Sequence, residues 1–211
     1  MMRGRLITFE GIDGAGKSTH LETVQAWLKG HGLTVVVTRE PGGTPIGEAI
    51  RKLLLDRTSD MNPETETLLM FAARREHIAR TIVPALERGE WVLCDRFTDA
   101  TRAYQGGGRG VPMERIERLA DWVQQGLEPD LTFLFDVSVA TAQERVGNRS
   151  PADRFEGEER AFHEKVRLAY RDLAVRYPAR IRVVDAGQRP DEVKKSVEKE
   201  LSRLWKEKTF I

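Results

Sequence analysis

The chain has 211 residues, a length that suits one compact domain spanning 1–211, although its 40% hydrophobic content is on the low side and its 32% charged content above average. Lys and Arg number 34 against 33 Asp and Glu, so a net charge of +1 provides no global basic field for gripping nucleic acid or an anionic membrane. The single cysteine, Cys94, and four scattered histidines (His20, His31, His77, His163) exclude a disulfide framework and zinc-type ligand spacing.

The opening Met-Met-Arg-Gly-Arg-Leu-Ile-Thr-Phe-Glu turns charged before a signal-peptide stretch could form, and no run approaches the ~18 apolar residues of a membrane helix. The expectation is a soluble, cytoplasmic protein. Leu6-Ile7-Thr8-Phe9 reads as a first strand, and the periodic Leu21, Val24 and Leu28 as one face of the helix that follows. Thr34-Val35-Val36-Val37-Thr38 and Trp91-Val92-Leu93-Cys94 are the next apolar runs. A glycine-rich loop is expected at 105–110, then a helix whose face carries Ile116, Leu119, Ala120, Val123 and Leu127. Leu131-Thr132-Phe133-Leu134-Phe135 is a fourth strand. Gly, Asn and Pro between 147 and 154 interrupt a helical pattern but keep arginines, as a basic lid would. A helix with Phe162, Val166, Ala169, Tyr170, Leu173 and Tyr177 on one face leads to the strand Ile181-Arg182-Val183-Val184. A last helix carries Val193, Val197, Leu201, Leu204 and Trp205. Mostly continuous rather than alternating strands, separated by helices, predict an α/β fold: an open parallel sheet covered on both faces. Ligands then bind beyond the carboxyl ends of the strands.

The strongest chemical signal stands at such an end. Gly11-Ile12-Asp13-Gly14-Ala15-Gly16-Lys17-Ser18 is a complete Gly-x-x-x-x-Gly-Lys-Ser phosphate-binding loop between strand and helix. Its glycines let backbone N–H groups converge on phosphate oxygens, and the helix N-terminus adds its dipole. Lys17 is expected to reach the β- and γ-phosphates, and the Ser18 hydroxyl to bind Mg²⁺. The guanine-reading Asn-Lys-x-Asp stretch is absent. The third strand ends in Asp95-Arg96-Phe97, an acid suited to a magnesium shell beside a cation suited to a phosphate. Transfer to a hydroxyl usually needs a base, whereas a phosphate monoester, with a second pKa near ~6, is already a nucleophile at neutral pH. Arginines at 39, 51, 75, 96, 149 and 154, with no histidine-centred dyad, favour an anionic acceptor and hence a nucleoside monophosphate kinase. A kinase for UMP or CMP and a nucleotide-dependent switch protein remain the alternatives.

Five ordered motifs carry a resemblance: residues 9–19, then Arg39-Glu40-Pro41-Gly42-Gly43-Thr44, Asp95-Arg96-Phe97, Ala103-Tyr104-Gln105-Gly106 and Asp153-Arg154-Phe155-Glu156. Together they resemble the bacterial thymidylate kinases over about residues 5–185. The resemblance implies a P-loop NTPase fold with a five-stranded parallel sheet, Mg²⁺-dependent transfer from ATP to dTMP, and a homodimer. It implies an ATP site over Gly11, Ile12, Asp13, Gly14, Ala15, Gly16, Lys17, Ser18 and Thr19, with Ser18 and Asp95 at the metal. Asp13 would reach the deoxyribose 3′-hydroxyl region, and Arg51 and Arg96 the acceptor phosphate, beside Glu40 and Pro41. Phe71 would stack on thymine, Arg75 would hydrogen-bond it, Thr101 would contact the base edge, Tyr104 would crowd the sugar C2′, and Gln105 would lie near the base. Lys17, Arg96 and a lid arginine, Arg149 or Arg154, would act on the transferring phosphoryl. Phe97 and Ala100 stand where Tyr and Ser are more usual, and Gly14 where another branch of the family has arginine.

Overall fold

The computed structural model describes residues 3–147 and 153–209. Five parallel strands form one sheet in the order β2-β3-β1-β4-β5: β1 (Leu6–Glu10), β2 (Val35–Arg39), β3 (Trp91–Asp95), β4 (Leu131–Asp136) and β5 (Ile181–Asp185). All five expected strands form. The three inner strands are almost wholly buried, which explains their unbroken apolar runs, while β2 and β5 at the edges expose Val37 and Val183.

Between β1 and β2 runs α1 (Lys17–Gly30), whose Leu21, Val24 and Leu28 are buried as their spacing requires. Two helices to which the periodicity gives no element follow β2. In α2 (Pro45–Leu55) the Thr44 hydroxyl caps Gly47 N–H at 3.0 Å, and in α3 (Pro63–His77) Asn62 caps Glu64 N–H at 2.8 Å. Proline at the first helical position completes both starts. A π-helical turn, Ile78–Ile82, joins α3 to α4 (Val83–Glu87). Beyond β3, α5 (Thr98–Thr101) runs into a second π-helical turn, Arg102–Gly108, where a glycine loop was expected. Its glycines serve packing: a Cβ on Gly107 would stand 2.5 Å from the Ala169 Cβ, and one on Gly108 would stand 2.5 Å from the Phe162 ring. The remaining helices are α6 (Met113–Gln124), α7 (Val139–Val146), α8 (Arg160–Arg176) and α9 (Pro190–Thr209).

Parallel register lines up the carboxyl ends of the three strands that matter. Phe9 pairs with Asp95, and Asp95 with Arg39. The residues that follow each strand therefore emerge on one edge: the phosphate-binding loop after β1, Glu40 and Pro41 after β2, Arg96 and Phe97 after β3.

Candidate active site

The loop after β1 turns through left-handed backbone at Gly11, Gly14 and Gly16. A Cβ at Gly11 would lie 2.5 Å from Phe135 O, and one at Gly14 would lie 2.3 Å from Ala142 O, so the loop presses against its neighbours as only glycine permits. Lys17 opens α1 with its side chain folded back, donating from Nζ to Gly11 O and Ile12 O at 3.0 Å each. Burial, and then the nearby Arg96, lower its affinity for a proton. Ser18 and Thr19 are exposed in the first turn of α1.

Arg96 stands at the junction of this loop with a second space. Its backbone is left-handed (φ 68°), and its N–H donates to Phe9 O at 3.0 Å, which directs the side chain across the end of β1. Nη2 donates to Asp13 Oδ1 at 2.6 Å and to the Tyr104 hydroxyl at 3.0 Å, while Nη1 donates to Gly11 O at 3.1 Å. Tyr104 in turn donates to Asp13 Oδ2 at 3.1 Å. Burial opposes the charge on Asp13, but Arg96 and Lys17 overcome it and hold the carboxyl well below the usual range. Glu10 lies beneath, its Oε1 accepting from Phe97 N–H and its Oε2 from the Tyr170 hydroxyl, each at 2.7 Å. Burial, then Asp99, push its pKa up to about 8.

The second space is a cavity of about 560 Å³, mouth included. Asp13 and Arg96 join it to the phosphate-binding loop, and Arg51, whose Nη1 donates to Pro41 O at 3.0 Å, also lines it. Glu40, Pro41, Ala100, Thr101, Tyr104 and Gln105 also face it. Glu40 is buried and accepts from Arg74 Nε at 2.7 Å; burial works against its charge, but Arg74 outweighs it and keeps the carboxyl ionised. The other Glu40 oxygen meets His77 Nδ1 at 2.9 Å, and His77 Nε2 meets the Thr38 hydroxyl at 2.6 Å. These bonds occupy the polar atoms of the Glu40–His77–Cys94 cluster, apart from the buried thiol, which donates to Arg96 O.

Two expected base contacts fall elsewhere. Phe71 is buried in the core beside Leu6, Ile78 and Val92 rather than in the cavity wall, and Arg75 Nη1 donates to Val123 O at 2.8 Å on the α6 side. Their places are taken by Met70 and Arg74, the same four-residue spacing one step earlier and so about 100° around the helix. Arg74 lies 4.9 Å from the Phe71 ring centroid and 5.3 Å from that of Phe97, and donates from Nη2 to the Thr101 hydroxyl at 3.1 Å. Its buried Nη1 has no hydrogen-bond partner. The tandem Arg74-Arg75 hides which one turns inward; burial of Glu40 after the neighbouring strand decides it, because that carboxylate needs a cation. Arg154 also departs from expectation. Its Nε donates to Leu54 O at 2.9 Å and its Nη2 to Glu66, away from the phosphate-binding loop. Arg149 lies outside the described residues. Phe97, Leu55, Asp153 and Phe155 join the cavity wall without having been assigned to it.

The donor set also suits a small divalent cation. Asp95 Oδ1 is buried without a hydrogen-bond partner, and Ser18 is exposed at the start of α1. Both offer the hard oxygen atoms that Mg²⁺ prefers.

The family model described as thymidylate kinase matches residues 9–197. The chain is 54% identical over 204 residues to the thymidylate kinase of Nitrosospira multiformis, covering 97% of this chain and 100% of that one. It is 57% identical over 205 residues to that of Nitrosomonas europaea, covering 97% and 95%. Among solved structures, the thymidylate kinase of Ehrlichia chaffeensis superposes with a TM-score of 0.77 at 35% identity, covering 94% of this chain and 99% of that one. A phosphate-binding loop joined through Arg96 to an arginine-lined cavity, and a match that runs nearly end to end, place the chain in the thymidylate kinase family.

Proposed function

We propose that this protein transfers the γ-phosphoryl group of ATP to the phosphate of dTMP, giving ADP and dTDP. The observation that carries the reading is Arg96, which reaches both the phosphate-binding loop and the acceptor cavity. Residues 11–19 would receive the ATP phosphates, and Lys17, now satisfied by loop carbonyls, would swing to the β- and γ-oxygens. Mg²⁺, held through Ser18 and Asp95, would neutralise charge on the transferring group.

Arg51 and Arg96, which both line the cavity, would hold the acceptor phosphate. Among the described residues no histidine lines this cavity, consistent with a nucleophile that is already ionised. The unpartnered Nη1 of Arg74 offers a donor to a carbonyl oxygen of the base, with Met70 and Phe97 as apolar walls. Tyr104, held by Asp13 and Arg96, would crowd a ribose 2′-hydroxyl. Arg149 is the remaining lid arginine for the transferring phosphoryl, since Arg154 is engaged with Glu66. The quaternary proposal is a homodimer: Leu68 on α3 and Trp122 on α6, neighbouring helices, are exposed at 55% and 74%. No helix among the described residues is long and apolar enough to cross a membrane. The family match supports the cytoplasm as the proposed site of action.

A coupled ADP-release assay with dTMP, dUMP, UMP, CMP and dGMP, and without acceptor, tests the reading. Turnover is expected with dTMP and at about 10–200-fold lower efficiency with dUMP, since one methyl group permits no more discrimination. Preference for UMP or CMP would replace dTMP as acceptor, and slow hydrolysis indifferent to acceptor would mean a switch protein.

A further inference from the structure

Glu66 sits in the first half of α3 with no exposed surface. A buried carboxylate is costly unless charged or polar donors converge on it. Three do. Gln105 Nε2 donates to Oε1 at 2.7 Å, Arg154 Nη2 donates to Oε2, and Arg109 Nε lies 3.6 Å from Oε1. The donors come from two stretches, 105–109 and 153–158, that Arg109 also ties directly through a 2.6 Å ion pair to Glu158. Aromatic faces cover the cations: Arg154 lies 4.7 Å from the Phe155 ring centroid, and Arg109 lies 4.7 Å from that of Phe162.

Glu66 does not line the cavity, but what it holds does. Gln105 is a wall residue, and Asp153 and Phe155, also in the wall, flank Arg154. Phe155 meets Tyr104 edge-on with centroids 5.9 Å apart, so its placement bears on the sugar side as well. Arg154 is anchored at its other end by Leu54 O, next to the wall residue Leu55. The sequence presents Arg154 as a cation for catalysis, whereas the structure uses it as a tether.

We propose that Glu66 is a positioning residue for the acceptor: by drawing Gln105, Arg109 and Arg154 onto one buried carboxylate it fixes the wall formed by Gln105, Asp153 and Phe155. The inference rests on reading this cavity as the dTMP site. Glutamine at 66 keeps the volume but offers one acceptor oxygen instead of two and turns an NH₂ toward a guanidinium. The wall then loses its tether while the phosphate-binding loop keeps its own contacts.

The test compares Glu66→Gln, Arg154→Gln and the double variant in the full-length enzyme. KM for dTMP is measured at saturating ATP, KM for ATP at saturating dTMP, and Tm alongside. KM for dTMP is expected to rise about tenfold or more in each single variant, as a displaced wall misplaces the acceptor. KM for ATP should stay within about twofold, since ground-state binding of the donor is untouched. The double variant should be no worse than the poorer single one, because both remove the same contact. Should a lone buried charge unfold either single variant, the double variant lacks that particular pair and serves as the folded case. An unchanged KM for dTMP in the folded variants, or equal rises for both substrates, overturns the Glu66 assignment alone. Wild-type enzyme inactive on dTMP would overturn the acceptor reading and this inference together.

Discussion

Lys17 and Arg96 converge on one oxygen of Asp13. Lys17 is 3.8 Å from Asp13 Oδ1 and rests on loop carbonyls, whereas Arg96 bonds that same oxygen at 2.6 Å. In Lys17→Ala the carbonyls lose a donor and, on the proposed reading, the growing phosphoryl charge would lose its counter-ion. We expect kcat to fall about 10²-fold or more, with an unchanged circular dichroism spectrum; near-native kcat would remove Lys17 from the reaction. Met70 and Arg75 allow a sharper contrast. Met70→Ala should open the apolar wall and raise KM for dTMP about tenfold, the loss of one well-packed side chain at a binding surface. Arg75→Ala should leave KM for dTMP within about twofold, because its Nη1 serves Val123 O instead. Steady-state kinetics of both variants decide which register of α3 faces the acceptor.

At the scale of elements, α3 carries both part of the cavity wall and part of the apolar core, and this explains why its periodicity is weak. Its buried positions include Glu66, Thr67, Arg74 and His77 as well as Phe71 and Ala73, so polarity does not separate inside from outside. By contrast α6 and α8 bury apolar faces of the ordinary kind and were legible as helices. The π-helical turn Arg102–Gly108 reverses the usual meaning of glycine. Consecutive glycines suggest a loose loop, yet here they let this turn approach α8 closely enough for Gly107 to lie against Ala169 and Gly108 against Phe162. Gly107→Ala should therefore destabilise the protein by about 1–3 kcal/mol through overpacking. Urea unfolding at equilibrium measures this, and a variant as stable as the wild type would show that α8 can give way.

For the molecule as a whole, the buried carboxyls set how stability responds to pH, and they pull in opposite directions. Glu10 has a folded pKa of about 8 against an ordinary 4.5, so between these values the native state keeps a proton that the unfolded chain has released. Its contribution is complete below pH 4.5 and is lost as pH rises toward 8, with a slope on the order of 1 kcal/mol per pH unit. Glu40 and Asp99 behave inversely. Burial opposes their charge, but Arg74 for Glu40 and Arg180 for Asp99 lower the folded values, so the stability they add is present above the usual carboxylate range and disappears in acid. Glu10→Gln should flatten the fall in unfolding free energy between about pH 5 and pH 8 while leaving the acid limb in place. The same slope in both proteins would mean that Glu10 is ionised throughout.

The sequence by itself determined what short-range pattern can encode. Continuous apolar runs specified the three inner strands, because a parallel strand buried on both faces has no polar side to interrupt it, and β-branched residues marked the two edge strands. The phosphate-binding loop and Asp95-Arg96 were legible because each chemistry is carried by adjacent residues at the end of one strand. Choices that depend on pairing distant segments were not. A helix turns by about 100° per residue, so shifting the assignment from Phe71 and Arg75 to Met70 and Arg74 required knowing that buried Glu40, on another element, demands a cation. Arg154 looked free to serve the phosphates until Glu66, 88 residues earlier in the chain, claimed it. Tertiary structure decides such cases because a buried charge must be neutralised by whichever partner the fold brings within reach.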